Sequence, residues 1–420
     1  MSGHGHGHIT WPPRLRRTDV LGEVRDVSNR KIHRDVGNPI YLRANCYYIF
    51  GDTFCHDAAG EFHGVSNNTY ALVPDPRKEP TRSEYLDGQL KVREYIPFTR
   101  SEYEYDSGPE QKQKNDRMTL WSFGGVVENP PDAGTGWVFF TKMITHGAMP
   151  GHGYGVGVAR ATAQPDKKIR MERIMGDEMI FGEGEPSFGS VTNLCDDDGW
   201  VYTLGTYDPN PSQLDLRTHI ARIRRDADFT QRANYEFFIN TLDGKGMWSK
   251  TYNSIDDLKR LGDMDVQSQG EMIKVPSFAP EGRPYMWIGN NKFGAGIMYV
   301  GCAPRPEGPW EVVEMGDIPN DPAPWDGKSS GPKYSFFPNP RASDLDRGEI
   351  ICTWTDAAQM GGKVIAARFW FEGDYERGPP PPAQGAHVQQ PGSDGKGSAG
   401  SHHSGLGDRL KGKIEGFLHK

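Results

Sequence analysis

Apolar positions along this chain fall into short runs rather than long amphipathic stretches. The run Tyr47-Tyr48-Ile49-Phe50 leads straight into Gly51-Asp52-Thr53-Phe54, a pattern that predicts a buried strand ending in a turn. A second apolar run, Tyr70–Val73, follows after a loop. The same couplet returns four times: Gly136–Thr141 with Tyr154–Ala161, Gly199–Gly205 with His219–Ile223, Tyr285–Gly289 with Gly296–Val300, and Glu349–Trp354 with Val364–Phe371. Further candidate strands precede most couplets, at Met118–Phe123, Ser187–Asn193, Gly270–Val275 and Ser335–Pro338. A more polar strand follows some, as at Trp310–Val313.

The units recur roughly every 60–90 residues, longer than the standard propeller repeat of about 40–50, and long insertions account for the surplus. Four antiparallel strands repeated five times predict an all-β fold, a five-bladed β-propeller. A large β-sandwich is the competing architecture, but regular hairpins without long crossovers favour radial repetition. The segment Thr18–Asp26 is expected to pair into the last blade and close the ring, removing an exposed sheet edge. Helix signals are few. Asn253–Leu261 is the best, with Ser254 as N-cap ahead of Asp256 and Asp257. The expected organisation is a flexible N-terminus (1–17), the propeller (18–377), a Pro/Gly/Ser-rich linker (378–404) and an amphipathic helix (405–420). In that helix Leu406, Leu410, Ile414, Phe417 and Leu418 share one face. It is read as a docking element, for a partner or weakly for a membrane surface.

Composition agrees with a turn-rich β protein: among 420 residues there are 52 Gly and 32 Pro, and 11% are aromatic. The formal charge of −8 argues against a general nucleic-acid binder. No apolar run is long enough to span a membrane. No leader is visible at the N-terminus, so a cytoplasmic protein is expected, or a secreted one whose leader was removed. The five cysteines, Cys46, Cys55, Cys195, Cys302 and Cys352, lie mostly in strand-like runs and read as buried free thiols rather than a disulfide framework. No metal-ligand spacing appears and no cofactor is implied. Asp196-Asp197-Asp198-Gly199 fits a hairpin turn better than a calcium loop.

Propeller ligands bind at one mouth of the central channel, so residues at the starts of the inner strands are the candidates. Blade one offers Asp35 and Asp52, blade two Asp116 and Trp121, blade three Glu185, blade four Gln269 and Glu271, and blade five Phe336. A carboxylate ending a buried strand, as Asp52 does, is costly unless paired, solvated or used. Carboxylates with aromatics suit a carbohydrate: aromatic faces pack on sugar C–H surfaces, and glycoside hydrolysis needs one carboxylic acid and one carboxylate. Each has a structural alternative. Asp52 can cap a turn, Asp35 can pair with Arg34, Glu185 can be solvent-exposed, and Glu271 can be an ordinary strand residue. A non-catalytic carbohydrate- or protein-binding propeller scaffold is the alternative function.

The segment Arg34-Asp35-Val36-Gly37 followed by Ile49-Phe50-Gly51-Asp52-Thr53-Phe54 resembles a propeller family, formerly of unknown function, that includes endo-D-arabinanases. In that family an Asp-x-Gly-containing segment precedes a Phe-Gly-Asp-Thr-Phe strand, and the two aspartates are the proposed catalytic pair. The resemblance implies a glycosidase acting on furanoside (arabinan-type) linkages. The working assignment makes Asp52 the general acid and Asp35 the base or nucleophile, with Glu185 assisting; the sequence leaves open which aspartate takes which role. Arg34 stands where the family commonly has a small residue. Arabinanase and β-xylosidase propellers, similar at fold level, use one carboxylate from each of the first three blades. That implies an analogous trio of Asp35, Asp116 and Glu185.

Overall fold

The computed structural model describes residues 7–389, except 148, 210–214, 266, 292–295, 322–330, 376 and 383–384. The expected tail helix at 405–420 lies outside the described residues, as does most of the linker.

The chain forms a five-bladed β-propeller. Every predicted couplet is an antiparallel pair: Asn45–His56 with Thr69–Val73, Thr135–His146 with Met149–Ala163, Trp200–Tyr207 with Arg217–Arg224, Tyr285–Asn291 with Ile297–Ala303, and Glu349–Asp356 with Lys363–Phe371. The innermost strands of blades one, three, four and five are His33–Leu42, Thr192–Cys195, Gln267–Lys274 and Lys333–Asn339. In blade two Val126–Glu128 takes the axial place, while Asp116–Trp121 pairs farther up with Thr141–His146. Blade one is extended in the same way: Phe62–Ser66 pairs with the second half of Asn45–His56. The two extensions form walls that meet where the Leu120 amide donates to Asn67 Oδ1 (2.9 Å).

Leu15–Glu23 pairs antiparallel with Lys363–Phe371 and closes the ring. Packed structure begins ahead of the expected boundary, since Ile9 is buried and bridges to Gly373. It also continues past 377, where His387–Gln389 pairs with the closing strand. The apolar faces meet in five clusters, one between each pair of neighbouring blades. Polar side chains stitch the inner strands together. Asn38 donates to the Phe123 carbonyl, Asn193 to that of Gly124, and Thr353 to that of Gly37. The Met272 amide donates to Thr192 Oγ1 and the Phe336 amide to Asn290 Oδ1.

One expectation needs correction. Residues 253–261 hold one 3-10 turn, Ile255–Asp257, with the predicted Ser254 cap closed by Asp257. Among the described residues the α-helices lie instead at Arg100–Asp106, where Thr99 and Glu102 form a capping box, and at Pro109–Lys114. The five cysteines are free thiols, all buried except the half-buried Cys195.

Candidate active site

Asp35 and Asp52 lie on adjacent strands of blade one, and local irregularity sets them side by side. The register pairs Arg34 with Thr53 and then Val36 with Phe50, so Asp35 alone stands opposite Gly51 and Asp52. A second shift follows immediately, between Val36 and Asn38. Bulges of this kind re-aim side chains next to functional sites. Between the two shifts Val36 is held at φ 74° and Gly37 at φ 73°. Positive φ is strained for a β-branched residue. The conformation is held by the Val36 amide donating to Thr355 Oγ1 (2.8 Å). It is also held by Thr353 Oγ1 donating to the Gly37 carbonyl (2.7 Å). Gly51 allows the close approach of the two aspartates: a Cβ there would lie 2.5 Å from Asp35 Oδ1.

The two carboxyls have different partners. Tyr334, at the start of the blade-five inner strand, donates from its hydroxyl to Asp35 Oδ2 at 3.0 Å. Burial, and then the neighbouring Asp52 charge, push the Asp35 carboxyl up to about 8; Tyr334, Arg117 and the Asp52 backbone amide only partly offset this. Asp52 is ion-paired through Oδ2 with Arg117 from the blade-two wall. The remaining oxygen of each, Oδ1, is buried without a hydrogen-bond partner. Buried polar atoms are ordinarily satisfied, so these two oxygens retain capacity to accept a hydrogen bond.

Arg34 does not pair with Asp35. It points to the opposite face of the strand and is fully buried, 4.0 Å over the Phe50 ring, donating to Ser83 Oγ and the Val24 carbonyl.

The other sequence candidates divide. Trp121 lies on the same strand face as Arg117, because side chains alternate along a strand. It is half-buried, and its Nε1 is buried without a partner among the described residues. Asp116 faces the other way and contacts His146 Nδ1 at 2.5 Å, so Arg117, its neighbour, is the blade-two group that reaches the pair. Glu185 is turned into its own blade: Oε1 accepts from Arg232 Nη2 (2.6 Å) and the Tyr252 hydroxyl, and Oε2 from the Gly182 amide (2.7 Å). Burial raises its carboxyl, but these partners outweigh it and leave it below its ordinary value. No contact among the described residues joins it to either aspartate. Gln269 accepts the Ser335 amide at 2.8 Å and so braces the residue after Tyr334, which itself sits at φ 57°. Phe336 is fully buried in the core between blades four and five, 6.1 Å from the Trp354 ring, and offers no face to a ligand. Glu271 is half-buried, with no ion pair or hydrogen bond among the described residues, and burial pushes its carboxyl up to about 8. Arg117 and Tyr334 are the residues sequence reasoning missed.

No protein-family model matches the chain, and no curated protein matches it. Among solved structures, a Bacteroides ovatus protein described as a "putative hydrolase" aligns with TM-score 0.56 at 16% identity, over 80% of this chain and 85% of its own. It shares the propeller fold. Weaker likenesses include the GH43_1 enzyme from Xanthomonas citri complexed with xylose, at TM-score 0.41 and 11% identity over 81% of this chain and 88% of its own. Another is xylan β-1,4-xylosidase from Bacillus halodurans, at TM-score 0.40 and 11% identity over 82% of this chain and 55% of its own.

Proposed function

We propose that this propeller is a glycoside hydrolase in which Asp35 and Asp52 are the catalytic pair, acting on furanoside linkages of arabinan type. The observation that carries the reading is the asymmetry of the two adjacent carboxyls. Such hydrolysis needs one carboxyl that keeps its proton near neutral pH and one that is ionised. Asp35, desolvated and beside another carboxylate, is the proton donor to the leaving oxygen. Asp52, facing the Arg117 guanidinium, is the base or nucleophile. This reverses the roles expected from sequence. Tyr334 orients Asp35, and the free indole N–H of Trp121 supplies a donor to a substrate hydroxyl. Glu185 serves the blade-three loop through Arg232 and Tyr252 rather than assisting the reaction. The furanoside substrate rests on the Asp35 and Gly51-Asp52-Thr53-Phe54 motifs.

The test is hydrolysis of an aryl arabinofuranoside and of D-arabinan by the wild type and by Asp35→Asn and Asp52→Asn. Each variant is expected to lose about 10²–10⁴-fold in kcat, with an unchanged circular dichroism spectrum. Turnover that survives Asp52→Asn rules out the pair, and absence of turnover by the wild type leaves a non-catalytic binding propeller.

A further inference from the structure

The strand that carries Arg117, Asp116–Trp121, has a strand partner on one side only. Arg117, Thr119 and Trp121 stand opposite Thr145, Met143 and Thr141 of that partner. The amides of Met118 and Leu120 point the other way, toward what would be an open sheet edge. There each finds a side-chain acceptor in place of a further strand. The Met118 amide donates to Asp106 Oδ1 (2.8 Å) and the Leu120 amide to Asn67 Oδ1 (2.9 Å). Met118 and Leu120 are both buried, so loss of either acceptor strands a donor away from water.

Both acceptors are themselves held. Asn67 is buried, and Asn68 Nδ2 donates to the same Oδ1 at 2.8 Å. Asn68 Oδ1 in turn accepts the Ile96 amide at 2.8 Å. The pair Asn67-Asn68 joins Phe62–Ser66 to Thr69–Val73, and both segments pair with the strand of Asp52: Ser66 with Thr53, and Thr69 with Phe50. The link therefore lies directly opposite Gly51 and Asp52. Asp106 is the last residue of the helix Arg100–Asp106, which is anchored on blade two. Buried Glu102 of that helix accepts two hydrogen bonds from Arg173 (2.9 and 3.0 Å) and pairs with Lys142 Nζ at 2.7 Å. Lys142 itself stands opposite Leu120. One acceptor thus ties the Arg117 strand to the strand of Asp52, and the other ties it to the body of blade two.

We infer that Asn67 and Asp106 are positioning residues, which together fix the register of the Asp116–Trp121 strand so that the Arg117 guanidinium stays on Asp52. The catalytic consequence rests on the hydrolase reading, in which Asp52 works as the ionised carboxyl. A strand free along one edge can slip against its partner, and a slip of one residue turns every side chain to the opposite face. Arg117 would then leave Asp52. Two acceptors at alternate residues hold the register from the free edge.

The test uses Asn67→Ala, Asp106→Ala and Asp106→Asn, with the two alanine changes made also in an Arg117→Ala background. Asparagine at 106 keeps an Oδ1 acceptor for the Met118 amide. Asp106 is half-buried at a helix end, so its variants keep the fold even where Asn67→Ala does not. On an aryl arabinofuranoside each alanine variant is expected to lose about tenfold or more in kcat, with KM within about twofold. Asp106→Asn is expected to stay within about twofold of wild type. In Arg117→Ala protein the alanine changes are expected to cost less than about twofold further, because residues that act through one group are not additive. Losses that multiply in full with that of Arg117→Ala overturn the inference, as does a defect in Asp106→Asn equal to that in Asp106→Ala. If the wild type cleaves no arabinofuranoside, the hydrolase reading fails, and crystal structures of the variants decide the positioning role on their own. Arg117 displaced from Asp52 in the alanine variants but not in Asp106→Asn supports it, and Arg117 unmoved in all three rejects it.

Discussion

Asp35 and Asp52 have the same side chain but different surroundings. In the proposed mechanism Asp35, raised to about 8, is the proton donor, and losing its proton would shut down turnover in base. The kcat/KM profile is expected to fall on its alkaline limb near pH 8. Tyr334 donates to the Asp35 anion and holds the carboxyl down. Tyr334→Phe is therefore expected to move that limb to higher pH, with kcat lowered about tenfold. A limb that stays put shows that Asp35 is not the titrating acid. Stability follows from the same shift. A carboxyl titrating near 8 when folded and near ~3.9 when unfolded binds its proton more tightly in the folded state. The stability it contributes is complete below about pH 4 and is lost as pH rises to about 8. Asp35→Asn removes that loss. The variant is expected to match the wild type at pH 4 and to exceed it by more than about 1 kcal/mol at pH 8. Urea melts at the two pH values check this, and a difference constant with pH contradicts it.

The strand elements were readable because their apolar runs are long and buried on both faces, as Tyr47 to Phe50 are. What the sequence does not carry is register. Asp116 and Arg117 are neighbours, and which of them faces Asp52 depends on a one-residue choice of strand face. The more conspicuous carboxylate drew attention while the arginine holds the contact. The paired register shifts around Val36 were hidden too, because their signal is a β-branched residue at positive φ rather than a composition. Tyr334 reaches Asp35 only through closure of blade five onto blade one. Gly51, by contrast, was part of the recognised motif, and the structure gives its reason. Gly51→Ala places a methyl against Asp35 Oδ1 and, at 3.1 Å, against Val36 Cγ2. It is expected to displace the acid and cost about 10²-fold in kcat while the protein stays folded. Wild-type kinetics in this variant would show that the close approach has no role in positioning Asp35.

Ring closure links the whole molecule to the site. Asp35 takes its hydrogen bond from blade five through Tyr334, and the strained Val36 beside it is held by Thr355 of the same blade. Blade five is completed by a strand from the other end of the chain, Leu15–Glu23, whose Val20 is fully buried in the cluster between blades four and five. Without that strand, Lys363–Phe371 becomes an open edge along its nine residues, a template for pairing with other chains. Deleting residues 1–24 is therefore expected to yield aggregated protein, or a fold melting more than ~10 °C lower and without turnover. A peptide spanning residues 13–24, supplied in trans, restores solubility and activity together if the strand acts by closing the ring. A truncated protein that melts and turns over as the full chain does would show that blades one to five hold their places without the closing strand. The geometry at Asp35 would then have to come from blade one alone.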